Sequence, residues 1–279
     1  LLLAGPLVRR VRRLTDASAA IGAGALDARV DTTGEDELAR LGRSFNAMAE
    51  KLQQAERHKR NLVTDVAHEL RTPLTNIIGI VESMQDGLRP ADAATLASLR
   101  VEAGLLAALV DELQELSLLE SGQLAFQIEP VDAVASAQAA VEAIRPSSNG
   151  VAVNGPDAHA PVMVHADARR LSQVLRNLLR NAVTHTPPGG RVDVTVISDE
   201  SRATIVVADT GRGIPPEHLA LVWERFHRVD PSRDRASGGM GIGLALVRQL
   251  VVGMGGEVGI ESELGHGSRF RVELRRRDP

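Results

Sequence analysis

The chain has 279 residues, enough for about two domains, and its 43% hydrophobic share supplies a core and excludes wholesale disorder. A net charge of −4 argues against the broad basic face of a nucleic-acid binder, and 2% aromatics with no Tyr argue against base stacking. With no cysteine there is no disulfide, no thiolate nucleophile and no Cys-ligated metal site. Of the 32 basic residues only Lys51 and Lys59 are lysines. Neither follows a glycine-rich loop, so a Walker-type phosphate loop is excluded.

The first segment, Leu1 to Val8, is far shorter than the roughly 20 apolar residues that span a bilayer. Its Leu-rich run is followed by Arg9, Arg10, Arg12 and Arg13, the order expected of a membrane helix's last turns and its cytoplasmic anchor. Residues 1–5 are assigned to that helix end. Pro6 to Ile21 then carries apolar residues at a spacing of three and four, which predicts a helix broken by Gly22 and Gly24. Leu26 to Val30 reads as a short extended link. The acidic start Glu35-Asp36-Glu37 opens a second helix, with Leu38, Leu41, Phe45, Met48, Leu52 and Ala55 as a heptad seam. The seam runs on through Leu62, Val66, Leu70, Leu74, Ile77, Val81 and Met84 to a turn at Asp86–Pro90. A return helix bears Leu96, Leu99, Leu106, Leu109, Leu113 and Leu116 and ends near Ser121-Gly122. Two such helices cannot bury their stripes alone, so dimerisation into a four-helix bundle is expected.

After Gly122 the period changes. Leu124–Glu129, Gly150–Val153, Val162–His165, Arg191–Ile197, Ala203–Ala208, Glu257–Glu261 and Ser268–Leu274 read as strands. Helices are expected at about Val131–Ile144, Asp167–Val183 and Gly241–Val252. The fold class is therefore multidomain, α followed by α+β: a coiled-coil or four-helix dimer bundle, then an α/β sandwich.

Four strings carry chemistry. In Thr64–Leu74, Val66 and Leu70 belong to the apolar seam, and His68 lies about 200° around the helix from Val66, facing solvent. Glu69 adjoins it, Thr72 follows one turn on, and Pro73 within the helix bends it at a cost of about 3 kcal/mol. Gln173, Asn177, Asn181 and His185 recur every fourth residue. Asn at i and i+4 can offer two carbonyl oxygens to hydrated Mg²⁺, though a solvated face has the same pattern. Asp209-Thr210-Gly211-Arg212-Gly213 follows a strand. The Asp can accept from an exocyclic amine and the glycines permit close backbone approach, although such strings also make plain turns. Gly238-Gly239-Met240-Gly241-Ile242-Gly243 opens a helix, where free N–H groups and the dipole favour phosphate. The charged segment before it reads as a lid, with Arg233 and Arg235 within reach of a γ-phosphate.

In this order the strings resemble a bacterial two-component sensor histidine kinase. Residues 6–55 are similar to a HAMP signal-relay domain. Residues 56–122 resemble the dimerisation and histidine-phosphotransfer domain, with His68 in its H box. Residues 123–279 resemble the catalytic ATP-binding domain shared with gyrase and mismatch-repair ATPases, with Asn177 to Asn181, Asp209 to Gly213, Phe226 and Gly239 to Gly243 as its boxes. The resemblance implies ATP and Mg²⁺ as cofactors, the metal on Asn181 and Asn177. It implies His68 as the phosphorylated nucleophile, Glu69 as its orienting carboxylate and Thr72 as a residue for dephosphorylating the regulator. It implies nucleotide contacts from His185, Asp209, Gly211, Gly213, Phe226, Arg233, Arg235, Gly239, Gly241 and Gly243. Thr184 stands where the family often has Lys or Arg on phosphate, which leaves that contact to His185 or an arginine. Expected partners are a second copy of the chain and a response regulator receiver domain, with no nucleic acid; the place is the cytoplasmic side of the inner membrane. The alternative is an ATP-gated clamp of the same superfamily. It calls for an acidic base in the helix that holds the asparagines, where Gln173 stands instead.

Overall fold

The computed structural model describes residues 4–157, 160–229 and 241–276. The chain divides into two compact units, Leu1–Glu69 and Leu70–Pro279.

In the first unit, helix α1 (Ala4–Gly22) is joined by a connector to α2, which begins at Glu37. The Asp36 carboxylate accepts the Ala39 N–H at 2.8 Å, satisfying a donor that the helix start leaves open. It also receives Arg10 at 2.9 Å. The connector holds turns at 23–24 and 26–27 and no strand, where the pattern suggested an extended link. Asn46 does the pairing that a strand partner would have done. Its amide accepts from the Val30 N–H at 3.0 Å and donates to the Val30 carbonyl at 2.9 Å. Ala39, Phe45 and Ala49 are buried.

Helix α2 runs unbroken from Glu37 to Gln85, with Pro73 inside it. Within the second unit, its last turns lead through a turn to α3 (Ala93–Glu120), capped by Asp92 accepting from the Thr95 N–H at 2.8 Å. Helix α3 is long and apolar enough to cross a membrane by length and composition alone. Its Leu109 and Leu116, however, are buried against Ile242, with Leu70, Leu113 and Phe226 around them. So the expected bundle stripe divides: Leu109 and Leu116 are covered within the chain, whereas Leu96, and Val110 on the same face, stay exposed.

The rest of the unit is an α/β sandwich. Its five-stranded sheet has the order β2-β4-β5-β7-β6, with β2 (Ala152–Asn154), β4 (Arg191–Ser198), β5 (Arg202–Asp209), β6 (Glu257–Glu263) and β7 (Gly267–Arg275). Only β2–β4 is parallel. Helices α4 (Ala133–Ile144), α5 (Ala168–His185) and α6 (Gly243–Gly253) pack against it. Alternation along β5 and β7 sends Ile205, Val207, Phe270 and Val272 into the core, and α5 answers with Leu171, Val174, Leu175, Leu178 and Leu179. A small second sheet pairs β1 (Glu129–Asp132) with β3 (Met163–Ala166). The strand expected at Leu124–Glu129 is displaced to β1. Leu124 and Phe126 do pack on the core, but without a hydrogen-bonded ladder. Asp167 joins these parts by accepting the N–H groups of Arg169 and Arg170 at the start of α5 and that of Gln127 before β1.

Candidate functional site

The sheet and helices α5 and α6 meet at a cavity of about 340 Å³. Its most telling residue is Asp209, the last of β5, 9% exposed. Its Oδ1 accepts the N–H groups of Gly211 at 2.8 Å and Ser268 at 3.2 Å. Its Oδ2 accepts nothing among the described residues. Burial pushes this carboxyl above its ordinary range, against the pull of those two N–H groups. An acceptor held rigidly at a cavity wall and left without a partner is what an exocyclic amine needs.

Along α5 the apolar face is fully buried, which turns Asn177, Asn181 and His185 toward the cavity that they line. Asn177 Oδ1 accepts from Arg180 Nη2 at 2.9 Å. Two amide oxygens one helical turn apart suit a hard, hydrated cation.

The glycines serve close approach. At Gly241, φ is +71° and an added Cβ would lie 2.8 Å from the Phe226 Cα, so only glycine fits. Phe226 itself holds a left-handed φ of 56°, a strained backbone for a side-chain residue. Its N–H donates to the Gly241 carbonyl at 2.9 Å, which ties the two strings together. Gly213, Gly241 and Gly243 line the cavity, with Gly243 as the first residue of α6. Gly211 sits against the His185 carbonyl, beside Asp209. Phe226 packs with Leu109, Leu116 and Ile242.

The structure thus brings Asn177, Asn181, His185, Asp209, Gly213, Gly241 and Gly243 to one cavity. Arg233, Arg235 and Gly239 lie outside the described residues. His68, Glu69 and Thr72 fall within α2, and His68 and Thr72 are exposed.

Other lining residues escaped the sequence reading. Thr184, set aside there, lines the cavity, as do Arg212, His227 and Ser268. His227 Nε2 lies 3.1 Å from His218 Nδ1, and burial, then the neighbouring imidazole, lowers its pKa. From α3 come Leu105, Ala108 and Glu112. Near them Glu115 pairs with Arg170 and Gln173 of α5, the charged pair only 16% and 11% exposed. Their sequence separation from α5 exceeds 50 residues, so no local pattern announces them.

Three family descriptions match. Residues 2–54 match the HAMP domain, 58–122 the His Kinase A (phospho-acceptor) domain, and 166–278 the histidine kinase-, DNA gyrase B- and HSP90-like ATPase. The chain is 37% identical over 277 residues to the signal transduction histidine-protein kinase BaeS of Escherichia coli, covering 98% of this chain and 59% of that one. It is 37% identical over 270 residues to the signal transduction histidine-protein kinase/phosphatase MprB of Mycobacterium avium, covering 93% and 50%. It therefore spans little more than half the length of these curated relatives. Among solved structures, the histidine kinase AdeS of Acinetobacter baumannii superposes with a TM-score of 0.63 at 26% identity, covering 76% of this chain and 98% of that one.

Proposed function

The chain belongs to the sensor histidine kinases of two-component signalling, and from that premise we propose that it phosphorylates its own His68 from Mg-ATP and passes the phosphoryl group to an aspartate of a response regulator. The observation that carries this reading is the unpartnered Asp209 oxygen at a cavity also lined by Asn177 and Asn181.

The residues divide the work. Asp209 accepts the adenine amine while Gly211 and Gly213 let the backbone approach the ring. The N-terminus of α6, from Gly243, gives its free N–H groups to the phosphates. Asn181, with Asn177 beside it, is suited to Mg²⁺, which when bound supplies charge neutralisation to the phosphates. His185 or an arginine stands in for the missing Lys or Arg. One ring nitrogen of His68 attacks the γ-phosphorus, the N–P bond forms, and ADP leaves with the electron pair of the broken P–O bond. Glu69 accepts a hydrogen bond from the N–H of the other ring nitrogen, orients the ring and stabilises the positive charge that develops on it. An aspartate oxygen of the regulator then attacks the same phosphorus and frees the imidazole.

The division of the chain goes with this reading: a relay at 6–55, a dimerising phosphotransfer hairpin at 56–122, and the catalytic domain at 123–279. The place proposed for the chain is the cytoplasmic side of the inner membrane. The exposed Leu74, Ile78 and Val110 support a homodimer. The clamp reading is set aside, because Gln173 bonds Glu115 and does not line the cavity.

Calorimetry tests the site. Asp209→Asn should weaken ATP and ADP alike by about tenfold or more, since an acceptor becomes a donor facing the amine. Asn181→Ala should lose the Mg-dependent part. Wild-type affinity in both variants would refute the assignment.

A second activity is proposed for Thr72, whose hydroxyl orients a water against the phospho-aspartate of the regulator. It is exposed and four residues on from His68, and the relative MprB is named a kinase/phosphatase. Thr72→Ala should keep self-phosphorylation and lose regulator dephosphorylation in a phosphate-release assay. Equal loss of both would sink this role.

A further inference from the structure

The cavity is not built by the α/β sandwich alone. Leu105, Ala108 and Glu112 of α3 line it opposite the asparagine face of α5. Glu112 is an odd residue to find there. It is an acid in a cavity read as taking a polyanion, and only 16% of its side chain is exposed. Burial pushes its carboxyl above the ordinary range, although Arg180 pulls the other way.

Its position within the cavity can be fixed from its partner. Arg180 Nη2 lies 3.4 Å from Glu112 Oε1 and donates to Asn177 Oδ1 at 2.9 Å. The same Nη2 would lie 3.6 Å from a Cβ added at Gly243, the first residue of α6. Arg180 is therefore at the end of the cavity where the helix start favours phosphate. Its guanidinium is the cation a phosphate chain would seek there, and Glu112 already holds it. Asn177, one of the two amide oxygens suited to the metal, is engaged by the same nitrogen. Docking of α3 is reinforced by the half-buried pair of Glu115 with Arg170 and by Leu109 and Leu116 on Ile242, so Glu112 is held in place by its helix.

We propose that Glu112 is a specificity-determining residue of the nucleotide site, its carboxylate competing with the phosphate chain for Arg180 and selecting among nucleotides by phosphate charge. This rests on the nucleotide reading of the cavity. A carboxylate at this end repels each added phosphate and is indifferent to adenosine. Docked α3 thus lowers affinity most for the triphosphate. By linkage, a bound triphosphate weakens the hold of α3 on the catalytic domain by the same factor.

The test is titration calorimetry of the full chain and Glu112→Gln with Mg-ATP, Mg-ADP and adenosine. The amide keeps the shape and removes the charge. The variant should bind ATP roughly tenfold more tightly and ADP by a smaller factor, with adenosine unchanged and the ATP gain shrinking at high salt. A gain in affinity is not something that misfolding produces. Unchanged ATP affinity, weaker ATP binding, or an equal gain for adenosine would each overturn the proposal. A wild-type chain that binds none of the three ligands would instead overturn the nucleotide reading itself.

Discussion

Helices α3 and α5 carry the same three-and-four spacing of apolar residues and meet different fates. On α5, Leu171, Val174, Leu175 and Leu178 are wholly buried against the sheet and the neighbouring helices. On α3, Leu109 and Leu116 are buried while Leu96 and Val110 are exposed, at 54% and 52%. Periodicity specifies that a face will be covered; what covers it depends on the rest of the chain and its partners. The α5 stripe is closed by sheet residues of the same domain. The α3 stripe is shared between Ile242 of the catalytic domain and, under the proposed assembly, a second copy.

This contrast can be broken by mutation. Leu175→Ala removes a fully buried side chain and should destabilise the α/β domain by about 2–5 kcal/mol at any protein concentration. Ile78→Asp, at a position 47% exposed in the single chain, should leave that domain's melting unchanged and shift the sedimenting mass from dimer to monomer. A wild-type chain that sediments as a monomer at micromolar concentration would break the comparison from the other side.

A smaller effect sharpens it. Asp167 is buried, which pushes its carboxyl up, yet the N–H groups of Gln127, Arg170 and Arg169 hold it below the ordinary range. A carboxyl depressed in the folded state contributes stability above its unfolded pKa, and that stability is lost as pH falls through the folded value. Asp167→Ala should therefore cost about 1–2 kcal/mol near neutral pH, and the difference from wild type should narrow in acid. Thermal melts across that range check it, and a difference independent of pH would contradict the capping role. Asp209 has the opposite sign. Its raised pKa means that ionisation opposes folding as pH rises, so Asp209→Asn should not lower the neutral melting temperature, even as it loses nucleotide.

The helices were legible because three-and-four spacing is a strong local signal, and Asp209 because its string stands in order with the other boxes on which the resemblance rests. The short strand before α4 was misplaced. Leu124 and Phe126 alternate as a strand would, and both pack on the core, but their backbone finds no partner strand. The contribution of α3 to the cavity was not legible. No local pattern marks Glu112, whose partner Arg180 lies 68 residues away. In the sequence Thr184 is marked only by the Lys or Arg it replaces, whereas its place near Asn181 on α5 brings it to the cavity wall.

The central claim is that phosphate reaches His68. Incubation of the full chain with Mg²⁺ and γ-labelled ATP, followed by acid and base treatment, tests it most directly. The account predicts a label on the protein that is lost in acid and kept in base, the behaviour of a phosphorus–nitrogen bond, and predicts that His68→Ala abolishes it while nucleotide affinity stays near wild type. A label that persists in His68→Ala, or one that survives acid, would contradict it.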